Sequence, residues 1–426
     1  MNKVCSPSVP DIAIAGGGPA GAIAAILLTR AGARVTLVDG APRTDWVEGA
    51  GARLVTAMRA QNLALEGLGP MVERRVTWGD LTGIPNREHI LSRRAFDAGL
   101  RAQAEAEGVT RVNGTVAKVQ PGAILLADGR CIAAGLVFEA RGRRARTAPG
   151  RKRGVPTVSI SAPTQAVAPG AEVIAHVDGW IWRISDGVRG WSQVTVDADA
   201  ASDPAQVWRD MIGFDLPASA RVTGAELRLS APDLDPDVPR LGDAAVAMDP
   251  LSGHGLFWAL ASALMAAPLA EALLGGRTDM ARRFYKDRVV ATFDRQARVG
   301  RDFYRAAGLD GPFWQARRIW PDDIPAEPVP PAAAFLERRV VVRGGRLAET
   351  NVLITPQEPE GVAFVGGIEI GPVLALLRHG TLPDKDAFAR HILTDAPPET
   401  AFRIHDWLTD RGIPTAPAPN NKEVTS

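Results

Sequence analysis

The sequence predicts an α/β fold in three parts: a domain built on a parallel sheet and assembled from separated segments, an antiparallel β-sheet domain, and a small C-terminal α/β module. Three observations carry this expectation. A strand, a glycine turn, a helix and a second strand follow one another near the start. A second glycine turn, again running into an apolar helix, comes more than two hundred residues later, and between the two lies a stretch of alternating apolar and polar residues punctuated by glycine.

Composition narrows the classes. At roughly 100–200 residues per domain, a chain of 426 residues holds two or three domains, and 46% hydrophobic against 23% charged residues is enough for a sizeable core. Lysine and arginine number 49 against 48 acidic residues, so no global field draws nucleic acid or an anionic membrane. Cys5 and Cys131 cannot build a disulfide framework, neither sits in a metal-type pair, and no metal is expected. The start, "MNKVCSPSVPDIAIAGGG", lacks the apolar core of a signal peptide. The longest apolar stretch, "AIAAILL", is far below the ~20 residues of a membrane span, so a cytoplasmic protein is expected.

In "DIAIAGGGPAGAIAAILLTRAGARVTLVDG", Ile12 to Ala15 suit a buried parallel strand, and Gly16, Gly18 and Gly21 fall at G-x-G-x-x-G spacing before an alanine-rich helix. The first glycine permits the tight turn, the second lets backbone approach a pyrophosphate, and the third lets helix pack on strand. The phosphate then meets free N–H groups at the helix N-terminus. "RVTLVDG" supplies the second strand and ends in Asp39, where an acidic side chain binds a ribose hydroxyl. This is a Rossmann-type unit, and alone it does not separate NAD from FAD.

The second turn makes that separation. "LGDAAVAMDPLSGHGLFWALASALMAAPLAEALL" resembles a signature of the superfamily of FAD-dependent aromatic hydroxylases, flavin halogenases and prenyl reductases, with the p-hydroxybenzoate hydroxylase-like fold, at Gly242, Asp243, Pro250, Gly253 and Gly255. The resemblance implies FAD, with Asp243 near its ribityl chain or phosphate and the later glycines at the pyrimidine edge of the flavin. There a helix N-terminus stabilises the negative charge of the reduced ring. "LSRRAFDAGLRAQAEAEGV" is similar to a third family segment, with Arg93 as an FAD contact before Phe96 and Asp97. "GLVFEARGRRART" falls where relatives end a strand in Asp-Gly, but carries Glu139, Ala140, Arg141 and Gly142. That departure favours reduction by a separate flavin reductase or by free reduced nicotinamide.

The resemblance divides the chain into a discontinuous FAD-binding domain (1–75, 92–155 and 236–310), a β-sheet substrate domain (76–91 and 156–235) and a C-terminal module (325–426) possessing strands and helices. In the sheet, "GWIWRIS" resembles the G-W-x-W-x-I-P motif of flavin halogenases, with Trp180 and Trp182 either lining the substrate pocket or serving as ordinary sheet residues. The halogenases also carry a lysine in their N-terminal third that conveys the oxidised halide. No lysine occurs from Val4 to Ala117, which argues against halogenation. His254 sits between two glycines beside the expected flavin edge, either titrating there or merely held by its backbone with a solvent-facing ring, and Glu48 falls where relatives place a Gly-Glu pair near the flavin. These two are the candidate catalytic residues.

Within the superfamily the chain is most similar to flavoproteins that hydroxylate a peptidyl tryptophan during biogenesis of cysteine tryptophylquinone, the cofactor of quinohemoprotein amine dehydrogenase. That likeness implies a monooxygenase acting through a flavin C4a-hydroperoxide on a tryptophan of the crosslinked small subunit. Its partners would be that subunit, the radical SAM maturase that crosslinks it, O2, and reduced nicotinamide or a flavin reductase. Two other readings share the motifs: a monooxygenase of small indoles or phenols, and a non-catalytic FAD-binding interaction protein. A saturating prenyl reductase shares the FAD motifs too and ranks below the monooxygenases because of the W-x-W strand.

Overall fold

The computed structural model describes residues 11–40 and 46–415, and the chain divides into two compact units, Met1–Ala326 and Glu327–Ser426. Cys5 lies outside the described residues; Cys131 is exposed. In the first unit, strand Asp11–Ala15 pairs in parallel with Arg34–Asp39 on one side and Leu136–Glu139 on the other, and Thr110–Asn113 completes a four-stranded sheet. The side chains of this first strand alternate between two packed faces, which is why Ile12 to Ala15 are all apolar. Ile12 and Ile14 meet helix Pro19–Arg30, whose Ile23, Ile26 and Leu28 are buried. Ala13 and Ala15 meet the three-stranded antiparallel sheet of Val116–Gln120, Ala123–Leu126 and Cys131–Ala133.

The second large sheet has eight strands, in the order Arg221–Gly224, Thr157–Thr164, Gly190–Asp197, Gly179–Ser185, Gly170–His176, Leu68–Trp78, Leu81–Ser92 and Val47–Gly51. Every neighbouring pair is antiparallel except Gly170–His176 beside Leu68–Trp78. Its near end thus reaches back to Val47, beyond the 76–91 segment expected from sequence. The glycine-rich "VEGAG" has little strand propensity of its own and is held by pairing with Leu81–Ser92. One face packs Ile160, Ile181, Val194 and Val196 against Trp208, Met211 and Ile212 of helix Pro204–Ile212. By strand alternation the other face carries Ser159, Ser161, Trp180, Trp182 and Gln193.

Helix Thr278–Ala306 buries one stripe, including Phe284, Val289, Phe293, Ala297 and Tyr304. Its end joins an aromatic cluster of Trp78, Trp180, Tyr304, Phe313 and Trp314. The expectation of no apolar stretch long enough for a membrane is corrected here. Gly255–Leu274 has the length and composition, but Leu256, Leu260, Ala263, Ala266 and Ala270 of this helix pair are buried in the parallel-sheet core, so its apolar character is spent on packing.

The second unit has its own core. A hairpin of Phe335–Arg343 and Arg346–Ile354 turns through Gly344 and Gly345, both at positive φ as a two-residue turn of this hand requires. Leu353 packs with Ile370 and Val373 of Ile370–Ala375, Phe388 of Lys385–His391, and Ile404 and Leu408 of Pro398–Asp410.

Candidate active site

The first glycine turn is shaped by the protein's own backbone. Gly16 has φ +115° and donates its N–H to the Val38 carbonyl at 2.8 Å, and a Cβ there would sit 2.5 Å from the Ala140 carbonyl oxygen. A Cβ on Gly21 would collide with the Gly16 carbonyl. At Gly18, which precedes the helix, a Cβ would find nothing within 4 Å, so this backbone faces open space. Asp39 ends its strand packed against Gly17 and paired at 3.3 Å with Arg101, which also donates to the Gly17 carbonyl at 3.2 Å.

The second turn lies against the first. Gly242 (φ +56°) donates to Ser262 Oγ at 2.8 Å and accepts from Trp258 Nε1 at 3.1 Å, and a Cβ there would lie 2.7 Å from Ala20 Cβ on the first helix. Asp243 faces a cleft 4.0 Å from Arg143; enclosure raises its pKa although Arg143 opposes this. Asp249 caps the short turn that begins at Pro250, accepting from Leu251 N–H at 2.9 Å and from the Tyr304 hydroxyl at 3.0 Å, and burial pushes both acids up. Gly253 (φ +60°) and Gly255 would each carry a Cβ with nothing within 4 Å. His254 caps helix Gly255–Leu264 from an exposed position at the rim; the protein around it lowers its pKa, helped by Arg53, Arg295 and Arg74.

Arg93 begins helix Arg93–Ala106, capped by Ser92, and is almost wholly buried between Glu48 at 2.5 Å and Asp97 at 3.1 Å. Burial works against its charge, but the two carboxylates overcome it and the pKa rises. Glu48 also accepts from Trp46 Nε1 at 2.8 Å, and the Trp46 ring lies between the guanidiniums of Arg93 and Arg221, 4.7 and 4.3 Å from its centroid. The unusual strand end is explained too. Arg141 folds back onto buried Glu139 at 2.6 Å, and Gly142 approaches Asp243.

A cleft of about 390 Å³ runs between the two glycine turns and the open face of the eight-stranded sheet. It brings together Gly18, Glu48, Arg93, Trp180, Trp182, Asp243, Pro250, Gly253 and Gly255; Gly16, Gly21, Asp39, Gly242 and His254 stand outside its lining. It also gathers residues the sequence did not single out: Arg74, Glu88, Arg143, Trp191, Arg221 and Asp249. Glu88 is 6% exposed, accepts from Trp182 Nε1 at 3.1 Å and lies 3.7 Å from Arg74 Nη1. Burial raises its pKa, with Arg74 and Trp182 opposing. Only Asp249 had a local signal, as the acid before Pro250 in "MDPLSG"; Arg143 lies in the short turn Gly142–Arg144, and the others come from separate strands aligned by register.

These walls fit FAD. Gly18, Gly253 and Gly255 present bare backbone to open space at the two ends of one cleft, and the buried Nε of Arg74, bordering it, has no hydrogen-bond partner within the protein. Among the described residues no group of three or more His, Cys, Asp or Glu side chains could hold a metal ion.

Residues 89–348 match the family described as Tryptophan halogenase, and residues 10–67 the FAD binding domain family. The chain belongs to the tryptophan halogenase family. No curated protein sequence matches it. Among solved structures, peptidyl tryptophan dihydroxylase QhpG, essential for tryptophylquinone cofactor biogenesis, is 33% identical over 95% of this chain and 100% of its own, with a TM-score of 0.79. The flavin-dependent halogenase CmlS is 17% identical over 95% of this chain and 96% of its own (TM-score 0.66). BrvH, a flavin-dependent halogenase from Brevundimonas sp. BAL3, is 15% identical over 74% of this chain and 83% of its own (TM-score 0.57). These last two share the fold. The protein is therefore a flavin-dependent oxidoreductase whose cofactor is FAD.

Proposed function

We propose that the protein is a FAD-dependent monooxygenase that hydroxylates a tryptophan side chain of a protein substrate, in the biogenesis of the cysteine tryptophylquinone of quinohemoprotein amine dehydrogenase. The observation that carries this reading is the similarity to QhpG, which runs through both units and the whole length of that protein. The cleft supports it against halogenation: no lysine is present among its described lining residues, as none is present from Val4 to Ala117.

FAD would be held through the backbone of Gly18, in the turn that Gly16 and Gly21 shape, by Asp39 at the ribose, by Arg93, and by Gly242, Asp243, Pro250, Gly253 and Gly255 at the flavin end. When bound and reduced, FAD activates molecular oxygen. The chain's own residues then exclude water and orient the indole: Trp46, Trp180, Trp182 and Trp191 give the cleft an aromatic wall, and the reacting ring must stand about 3–3.5 Å from the oxygen it takes. On this reading the enzyme works in the cytoplasm, receives electrons from reduced nicotinamide or a flavin reductase, and acts on a subunit already crosslinked by a radical SAM enzyme.

The test is a single turnover. The FAD-loaded protein is reduced without oxygen, mixed with the crosslinked tryptophan-bearing subunit, and exposed to air, and the subunit is weighed intact. A gain of one or two oxygen atoms on the tryptophan is expected. No gain, with oxygenation of a free indole or phenol in parallel, makes the protein a small-molecule monooxygenase; reoxidation that oxygenates nothing makes it a flavin-binding interaction protein.

A further inference from the structure

Four carboxylates line the cleft: Glu48, Glu88, Asp243 and Asp249. Glu48 is held by Arg93 and the Trp46 indole, and Asp249 by Tyr304 and the Leu251 N–H. Asp243 belongs to the glycine turn beside Arg143. Glu88 projects from the eight-stranded sheet, from the same face as Trp182 and Arg74.

The two oxygens of Glu88 differ. Oε1 is fixed by the Trp182 indole at 3.1 Å, whereas Oε2 stands 3.7 Å from Arg74 Nη1, beyond hydrogen-bond length. Oε2 reaches this place because residue 49 has no side chain; a Cβ on Gly49 would collide with it. Gly49 itself lines the cleft, so the loosely held oxygen is next to the space that the reactants share.

Replacing a ring hydrogen by oxygen needs a proton acceptor. Once the ring carbon has formed its C–O bond it still carries hydrogen, and aromaticity returns only when that C–H bond breaks. We propose that Glu88 is this acceptor, taking the ring proton on Oε2 while Trp182 holds its other oxygen. The C–H electron pair returns to the ring, one atom of O2 stays as the hydroxyl, the other leaves as water, and reduced FAD supplies the two electrons. The assignment rests on the tryptophan hydroxylase reading, and displaces His254 and Glu48 from the role of base.

The test uses E88Q and E88D, loaded with FAD, and the crosslinked subunit bearing ring-deuterated tryptophan. E88Q is expected to bind FAD and reoxidise it as the wild type does, yet to form hydroxylated product about 10²–10⁴-fold more slowly, the usual range for loss of a general base. A primary isotope effect absent from the wild type should appear in E88Q, because ring deprotonation has become slow. E88D should recover part of the rate, and remains the informative variant where E88Q fails to hold FAD. Infrared difference spectra of the wild type in single turnover should gain a protonated-carboxyl band that E88D shifts. Wild-type rates without an isotope effect in E88Q, or no carboxyl change in the wild type, overturn the proposal alone. A wild type that adds no oxygen to tryptophan overturns the hydroxylase reading, and this assignment with it.

Discussion

The two glycine turns use one residue type for opposite reasons. At Gly16 and Gly21 the missing Cβ makes room for the protein: the Ala140 carbonyl and the Gly16 carbonyl occupy the space a side chain would need. At Gly253 and Gly255 the missing Cβ makes room for nothing the protein supplies. At Gly16 and Gly21, as at Gly242 against Ala20, glycine is therefore a packing requirement that persists without ligand, whereas at Gly255, in ordinary helical backbone, it answers to whatever fills the cleft. Substitutions at Gly16 or Gly21 should cost stability in the apoprotein, and a substitution at Gly255 should cost binding.

The largest expected effect lies where the wall beside the first turn is pinned by charge. Arg93→Met leaves Glu48 and Asp97 without their shared cation, and removing one partner of a buried pair costs about 3–5 kcal/mol. Urea unfolding of the apoprotein should show this loss before any FAD is added. Apoprotein stability equal to wild type would mean that Arg93 is held for the cofactor and not for the fold.

Next comes Gly21→Ala. The added methyl meets a backbone carbonyl that cannot swing away, so a loss of about 3 kcal/mol, the upper part of the range for overpacking, is expected in apoprotein and holoprotein alike. Gly255→Ala is the contrasting change. It meets no neighbour within 4 Å and sits at the start of helix Gly255–Leu264, so the apoprotein should be unchanged or gain up to about 1 kcal/mol from helix propensity. FAD affinity should nevertheless fall, by roughly tenfold or about 1.4 kcal/mol. Titration of the apoproteins with FAD, beside their unfolding curves, separates the two turns; parallel losses in both measurements at Gly255 would erase the distinction.

The contrast also explains what the sequence could disclose. Gly16, Gly18, Gly21 and Asp39 are local: a strand, a turn and a helix fix their relation within thirty residues, and the structure keeps that relation in the Gly16 N–H bond to Val38. Trp180 and Trp182 share a face because strand alternation is local too. Glu88, Arg74, Arg221 and Trp182 come from four strands that meet only through the pairings of the eight-stranded sheet, including one parallel neighbour that no hairpin pattern would suggest. Glu48 was legible as a carboxylate near the flavin, but its commitment to Arg93 and Trp46 was not, since it depends on a contact across forty-five residues.

The smallest expected effect concerns His254, between the two open glycines. Its pKa is lowered from the ordinary 6.5 by the protein around it and then by Arg53, Arg295 and Arg74. A group that resists protonation when folded but not when unfolded contributes stability above its unfolded pKa, and that contribution is lost as pH falls through 6.5 toward the lowered folded value. The urea midpoint of the wild-type apoprotein should therefore drop between about pH 7.5 and about pH 5.5 by more than that of His254→Gln, since the window is set by a histidine's range. The ring is exposed, so the difference should be slight, and high salt should shrink it by screening the three arginines. An equal drop in both proteins would assign the acid sensitivity to other groups and leave His254 as a residue held by its backbone. A difference that vanishes once FAD is bound would instead show that the cofactor covers the ring, carrying the second turn's dependence on its ligand one residue further along the chain.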